Sequence, residues 1–205
     1  MKLTLLTAAS KDFWPLMALT SPNKLEYCLR HGVQLSVAVH DPELLGVSGN
    51  WGEREYFMAD ALNSYSCDWL WFMGADTLIT NMQIDVRSLC DPDFDLIIGK
   101  DINGINNDSF LLQNTKASHD FLRRVISRRD METDQCAMRA EMDHPSMRSK
   151  IVSQRVFNSF KYDEYHYGEY EQGNWQDGDF VLHLPGMNNA RRFALLLEFA
   201  QKVKR

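Results

Sequence analysis

Residues 69–81 constrain the fold more than any other stretch. Trp69-Leu70-Trp71-Phe72-Met73 is an unbroken apolar run between polar Asp68 and a Gly74-Ala75-Asp76 turn. A strand with one wet face alternates apolar and polar residues, so this run predicts a central strand buried on both faces. In open α/β sheets, ligands bind beyond the carboxyl ends of the strands. Asp76 is the first charged group delivered there, and a carboxylate in that place can hold a divalent cation against a phosphate. It can equally cap the turn that follows the strand.

The flanking sequence supplies the neighbours such a strand needs. Residues 2–8 predict a first buried strand, leading into Ala8, Ala9 and Ser10, small enough for a nucleotide to approach the backbone. The Gly-x-Gly-x-x-Gly fingerprint of dinucleotide-binding folds is absent there, which disfavours a Rossmann-type methyltransferase. Ser21-Pro22 predicts the start of a helix over 23–30, with Leu25 and Leu29 on one face and His31-Gly32 ending it. Residues 34–40 alternate as a second strand. A loop over 41–51 carries Pro42, Gly46, Gly49 and Asn50, the kind of segment that often bears binding residues. A helix over 52–64 would turn Tyr56, Phe57, Ala61 and Leu62 inward. This β-α-β-α-β order predicts an α/β fold, a single domain with a mostly parallel central sheet flanked by helices.

Further on, the pattern predicts a short helix at 84–89 and a buried strand around Leu96-Ile97-Ile98. A polar, turn-rich loop over 100–108 and a return strand at 109–114 follow. Amphipathic helices are expected at 116–128 and 132–142. The last third reads as irregular and aromatic-rich, with a late strand at 179–183 that leaves into His183-Leu184-Pro185-Gly186, and a closing helix at 189–204. A histidine in such a place is most often a polar turn residue.

Composition narrows the class. The 205 residues are 44% hydrophobic and 24% charged with net charge -6, which describes a globular chain and argues against a general polyanion-coating protein. The region 116–155 is locally basic, through Arg123, Arg124, Arg128, Arg129, Arg139, Arg148, Lys150 and Arg155, and reads first as solvated helix faces. Cys28, Cys67, Cys90 and Cys136 form no Cys-x-x-Cys pair, so reduced thiols and a cytoplasmic location are expected, in a host cytoplasm if the source is viral. Neither a signal peptide nor a membrane span is expected.

Several segments together resemble glycosyltransferase family 34, retaining nucleotide-sugar transferases that include galactosyl, mannosyl and xylosyl enzymes. Asn23-Lys24-Leu25-Glu26-Tyr27 with His31-Gly32 is similar to N-K-x-x-Y-x-x-x-H-G, and residues 69–81 to W-I-W-W-x-D-S-D-A-L-I-T-N. Residues 104–114 are similar to G-L-N-x-G-S-F-L-I-R-N, Asp134-Gln135 to the end of D-D-Q, and 154–159 and 178–186 to the closing blocks.

The resemblance implies a GT-A (Rossmann-like) fold with a D-x-D motif and a late His holding manganese, or magnesium, on a UDP-sugar donor. By position, Asp76 is the second Asp of that motif and His183 the late ligand; the first Asp is Gly74 here. Thr7, Ala8, Arg54, Gly74, Ala75, Asp76, Asp101, Asn106, Gly186 and Arg191 are the expected donor-binding residues, with Arg192 as an alternative to Arg191 for the diphosphate. Asp101 and Asn106 could instead form an Asx-turn loop. Gln135 is expected to stabilise the transition state and Asp134 to meet sugar or acceptor hydroxyls, although an acid there also complements a helix N-terminus. The aromatic residues from Tyr162 to Trp175 could stack on an acceptor or close the core. The expected acceptor is a hydroxyl of a glycan, a protein or a hydroxymethylated DNA base. A noncatalytic nucleotide-sugar or glycan-binding module is the rival, since Gly74 removes one motif carboxylate.

Overall fold

The computed structural model describes residues 1–40, 53–101, 103–128, 131–161 and 173–205. The loop expected at 41–51 and the aromatic stretch 162–172 lie outside the described residues.

The central strand is as the apolar run demands. β3 (Trp69–Gly74) is buried at every position. It lies between β1 (Leu3–Ser10) and β6 (Gly104–Gln113) in a six-stranded sheet of order β2-β1-β3-β6-β5-β7, where β2 is Gln34–His40, β5 Leu96–Asp101 and β7 Ser149–Ser153. Strands β2, β1, β3, β5 and β7 run the same way, and β6 runs against its neighbours. The sheet is therefore mostly parallel.

Alternation along β3 divides the core. Trp69, Trp71 and Met73 point to one face, where α1 (Trp14–His31) and α6 (Asn189–Ala200) pack; Leu70 and Phe72 point to the other. That second face is covered by α2 (Glu53–Ser64), α3 (Lys116–Ser127) and α4 (Asp134–Met142). A smaller sheet of order β4-β9-β8 lies on the α1 side, built from Thr77–Ile79, Val181–His183 and Ser159–Phe160. A four-residue helix, α5 (Gln154–Phe157), links β7 to β8.

Several expectations are corrected. α1 begins at Trp14 and runs through Pro22. Pro22 has no N–H to give to the helix ladder, yet the face holding Leu16, Met17, Thr20, Lys24, Tyr27 and Cys28 is buried continuously across it. Burial of that stripe outweighs the lost bond. Leu25 and Leu29 share the outer face instead, 46% and 75% exposed. In α2 the inward residues are Glu53, Glu55, Met58, Ala61 and Leu62, while Tyr56 is exposed. Residues 104–108, expected in a loop, belong to β6, since Gly104 at φ 109 turns the chain directly from β5 into a hairpin. The expected helix at 84–89 is a 3-10 turn over Val86–Leu89. β7 went unpredicted because its Ser-Lys-Ile-Val-Ser segment is an edge strand, only half-buried, and shows little alternation.

Candidate active site

Three registers bring the site together at the carboxyl end of β3. The parallel pairing of β1 with β3 ends at Ala8↔Gly74, where β3 stops. The antiparallel pairing Met73↔Ser109 puts the next residue of β6, Asp108, beside Gly74. A Cβ at Gly74 would sit 3.0 Å from Asp108 Oδ1, so a side chain there would make that carboxylate shift. In the small sheet, Thr77↔His183 carries the imidazole next to Asp76.

The turn between β3 and β4 is held from below by Lys24. Its buried ammonium donates to the Gly74 carbonyl at 2.8 Å, Thr7 Oγ1 at 3.1 Å and Thr20 Oγ1 at 3.2 Å. Thr20 Oγ1 in turn donates to the Ala75 carbonyl, and Thr77 Oγ1 to that of Gly74. Burial pulls the Lys24 pKa down to about 7, against the opposing pull of Asp76. The resembled Asn-Lys pair thus has a structural use: Asn23 pairs both backbone groups of Ile79 in β4, and Lys24 fixes the turn.

Above the turn, His183 Nε2 lies 3.3 Å from Asp108 Oδ2 and 3.6 Å from Asp76 Oδ1. The ring is buried, and neither nitrogen has a hydrogen-bond partner. Asp76 Oδ2 meets Arg192 Nε at 3.1 Å, and Asp108 Oδ1 meets Arg54 at 2.9 Å. Burial raises the Asp76 pKa more than His183 and Arg192 lower it. At Asp108 the balance is reversed: burial is outweighed by His183 and Arg54, which hold the carboxyl well below the usual range. His183 is raised, because Asp76 and Asp108 favour its charged form by more than burial disfavours it.

Carboxylate and imidazole are both donors that a divalent cation can use, and His183, held within ion-pair distance of Asp76 and Asp108, makes no hydrogen bond at either ring nitrogen. Among the described residues no group of three or more His, Cys, Asp and Glu side chains could hold a metal ion by itself. Further oxygens would have to come from a ligand.

Arg54 links this cluster to the helix side. It pairs with Asp134 at 2.5 Å and Asp108, touches Glu55, and lies 5.5 Å from the centre of the Phe72 ring. Burial opposes its charge, but Asp134, Asp108 and Glu55 together raise its pKa. Asp134 opens α4 with its Oδ1 accepting from the Gln135 N–H and from Asn107. Gln135 is half-buried beside it.

The other expected residues divide. Thr7, Ala8, Gly74, Ala75 and Asp76 lie together at and just beyond the paired carboxyl ends of β1 and β3. Asp101 accepts from Asn106 and from the Asn103 N–H, so these two hold the hairpin in the Asx-turn manner. Gly186 turns the chain at φ 69 after His183. Arg191 is exposed on α6, and it is Arg192 that reaches Asp76. Trp175, the one described member of the Tyr162–Trp175 aromatics, closes the core against Phe199 and Thr80.

Sequence reasoning missed Asp108. The available signal was its place in the resembled G-L-N-x-G-S-F block, where this chain has Asp in place of the second Gly.

A model of the galactosyl transferase GMA12/MNN10 family matches residues 5–93 and 87–194. Xyloglucan 6-xylosyltransferase 1 of Arabidopsis thaliana is 28% identical over 111 residues, which is 49% of this chain and 24% of that protein. Probable glycosyltransferase 2 of Oryza sativa subsp. indica is 30% identical over 114 residues, 50% of this chain and 23% of that one. The chain thus spans about a quarter of the length of these relatives. Among solved structures, a glycosyltransferase involved in glycosylation of the major capsid of PBCV-1 superposes with TM-score 0.76 at 16% identity, over 97% of this chain and 100% of that one. The galactosyltransferase LgtC superposes at TM-score 0.60 and 12% identity, over 98% and 96%. At these identities the superpositions establish the shared fold. No helix among the described residues is long and apolar enough to cross a membrane.

Proposed function

The chain belongs to the galactosyl transferase GMA12/MNN10 family, and from that premise we propose that it transfers a sugar from a UDP-sugar to a hydroxyl acceptor with retention at the anomeric carbon. The observation that carries this reading is the buried His183 ring, with no hydrogen bond at either nitrogen, held 3.6 Å from Asp76 at the carboxyl end of the central strand. That is where an open α/β sheet receives a nucleotide.

In retaining transfer the acceptor oxygen arrives on the face the diphosphate leaves, so the site meets positive charge on the sugar and negative charge on phosphate together. Asp76 and His183 would hold a divalent cation, manganese or magnesium, which would neutralise charge on the departing diphosphate. Arg192, already beside Asp76, takes a diphosphate oxygen through a charge-assisted hydrogen bond. Gln135 stabilises the oxocarbenium-like sugar, and Asp134, oriented by Arg54 and Asn107, accepts from a sugar or acceptor hydroxyl. Thr7, Ala8 and the Gly74-Ala75 turn shape the floor under the nucleotide.

For the acceptor, a glycan or protein hydroxyl is favoured over DNA. The basic region is largely paired within the chain: Arg124 and Arg128 to Glu141, Arg148 to Asp95, Lys150 to Asp91 and Arg155 to Asp179. A binding module without turnover is the second reading, favoured by Gly74 in place of the motif carboxylate; release of UDP on adding acceptor separates the two.

Calorimetric titration with UDP and UDP-sugars, with and without Mn²⁺, tests the donor site. Binding should require metal, and Asp76→Ala and His183→Ala should each abolish that requirement together with most of the affinity. No nucleotide binding under any condition would refute the proposal.

A further inference from the structure

Behind Arg54 sits a carboxyl that neither donor nor acceptor can touch. Glu55 lies in the first turn of α2, where an acid ordinarily faces water and complements the helix N-terminus, yet its side chain has no exposed surface. Taking a carboxylate out of water is costly unless it is paired. Arg54 Nε donates to its Oε1 at 3.3 Å, while Oε2 has no hydrogen-bond partner. The other arms of the guanidinium leave for the site. Nη1 donates to Asp108 Oδ1 at 2.9 Å and to the Asn107 carbonyl at 3.4 Å, and Nη2 meets Asp134 Oδ2 at 2.5 Å. Glu55 is therefore the inner end of a chain whose outer ends, Asp108 and Asp134, are 31% and 13% exposed.

We propose that Glu55 is a positioning residue for the transfer: it fixes the rotation of the Arg54 guanidinium, and through it the Asp134 carboxylate, which rests on the reading of Asp134 above as the group that meets the sugar. A planar fork on a placed stem keeps two freedoms, tilt out of its plane and rotation within it. Phe72, whose ring centre lies 5.5 Å from the guanidinium carbon, limits the tilt. Rotation is set by where the N–H groups are anchored. Nη1 and Nη2 reach carboxylates of two different elements, β6 and α4, and the Nε anchor is Glu55, beside Arg54 on its own helix. Without that anchor the fork can swing toward Asp108. The Gln135 N–H and Asn107 hold Oδ1 of Asp134, so its Oδ2 takes its direction from the charge-assisted bond to Arg54. Burial pushes the Glu55 carboxyl up to about 7, against the downward pull of Arg54. Near neutrality the anchor thus acts more as a hydrogen-bond acceptor than as a charge, and an amide can replace it.

The test compares wild type, Glu55→Gln and Glu55→Met. UDP affinity is measured by calorimetry with Mn²⁺, turnover by the UDP released as the sugar of UDP-galactose or UDP-xylose passes to water, and folding by thermal melting. Glu55→Gln keeps an acceptor oxygen for Nε and should hold kcat within about threefold of wild type. Glu55→Met removes the acceptor at similar side-chain length and should lower kcat roughly tenfold or more. KM and UDP affinity should stay within about twofold, the mark of an interaction used after binding. The melting temperature of Glu55→Met should equal or exceed that of wild type, since an apolar group in place of a buried acid is often neutral or stabilising. A merely structural acid would lose activity and stability together. Wild-type kcat in Glu55→Met would overturn the proposal, as would an equal loss in Gln and Met, or a loss in Met that comes only with a lowered melting temperature. The Arg54 Nε–H resonance of isotope-labelled protein reads the anchor without turnover. It should be a single sharp signal in wild type and Glu55→Gln and broaden by exchange in Glu55→Met; an unchanged signal in Met would also overturn the proposal. Wild type that releases UDP from neither sugar nucleotide would refute the transfer reading instead, and the resonance would still decide whether Glu55 anchors Arg54.

Discussion

Lys24 shows at the scale of one residue how the site is held. An ammonium with no exposed surface is expensive, and the chain offsets the cost with three hydrogen bonds to Thr7, Thr20 and the Gly74 carbonyl. Its folded pKa of about 7 lies below the ordinary lysine value of 10.5, so between these values the unfolded chain binds more protons than the folded one. Stability from this group therefore rises with pH across that window, and the penalty stands in full below it. Denaturant midpoints measured from pH 6 to 10 should climb in wild type through the window set by Lys24 and stay flatter in Lys24→Met. An equal slope in both would show that Lys24 is not the titrating group. The Asn-Lys pair was visible in the sequence as a resemblance; that it fixes a turn fifty residues away was not.

Among the elements, α3 and β3 followed their local patterns, with Phe121, Leu122 and Val125 inward on the one and every residue buried on the other. α1 did not, because Pro22 reads as a start signal and the burial of the stripe through it is a tertiary effect. α4 carries Asp134 and Gln135, the residues proposed to meet the sugar, in its first turn. Thr133 caps it, its hydroxyl accepting from the Cys136 N–H. Thr133→Ala should cost about 1 kcal/mol of stability by denaturant titration. It should also lower transfer rate by more than it lowers UDP affinity, because Asp134 is assigned to the sugar and not to the nucleotide. A variant with unchanged stability would mean that the cap does not set the helix end.

The whole molecule depends on joining two sheets. Phe180, leading into β9, stacks on Trp71 of β3 at 5.2 Å and tilts against Tyr27 of α1 at 5.8 Å. Phe180→Ala should cost about 3–5 kcal/mol in thermal or chemical unfolding. Loosening β9 should also weaken UDP binding, since His183 lies three residues on. At the same scale, the paired basic region predicts weak, strongly salt-dependent DNA binding, with none measurable by fluorescence anisotropy at physiological ionic strength; tight binding there would reopen DNA as the acceptor.

By itself the sequence determined the class of fold, the buried central strand and the family to which the chain belongs. All of these follow from burial, periodicity and local motifs. Only the tertiary structure decided that Asp108 faces Gly74, that His183 faces Asp76 and that Arg192 reaches the site from α6. Those contacts are fixed by strand register and by helix rotation. A shift of a single residue in either pairing would turn the same side chains to the opposite face of the sheet. What sets the register is the packing of Trp71, Phe110 and Phe180 between layers distant in the chain, which no local pattern contains.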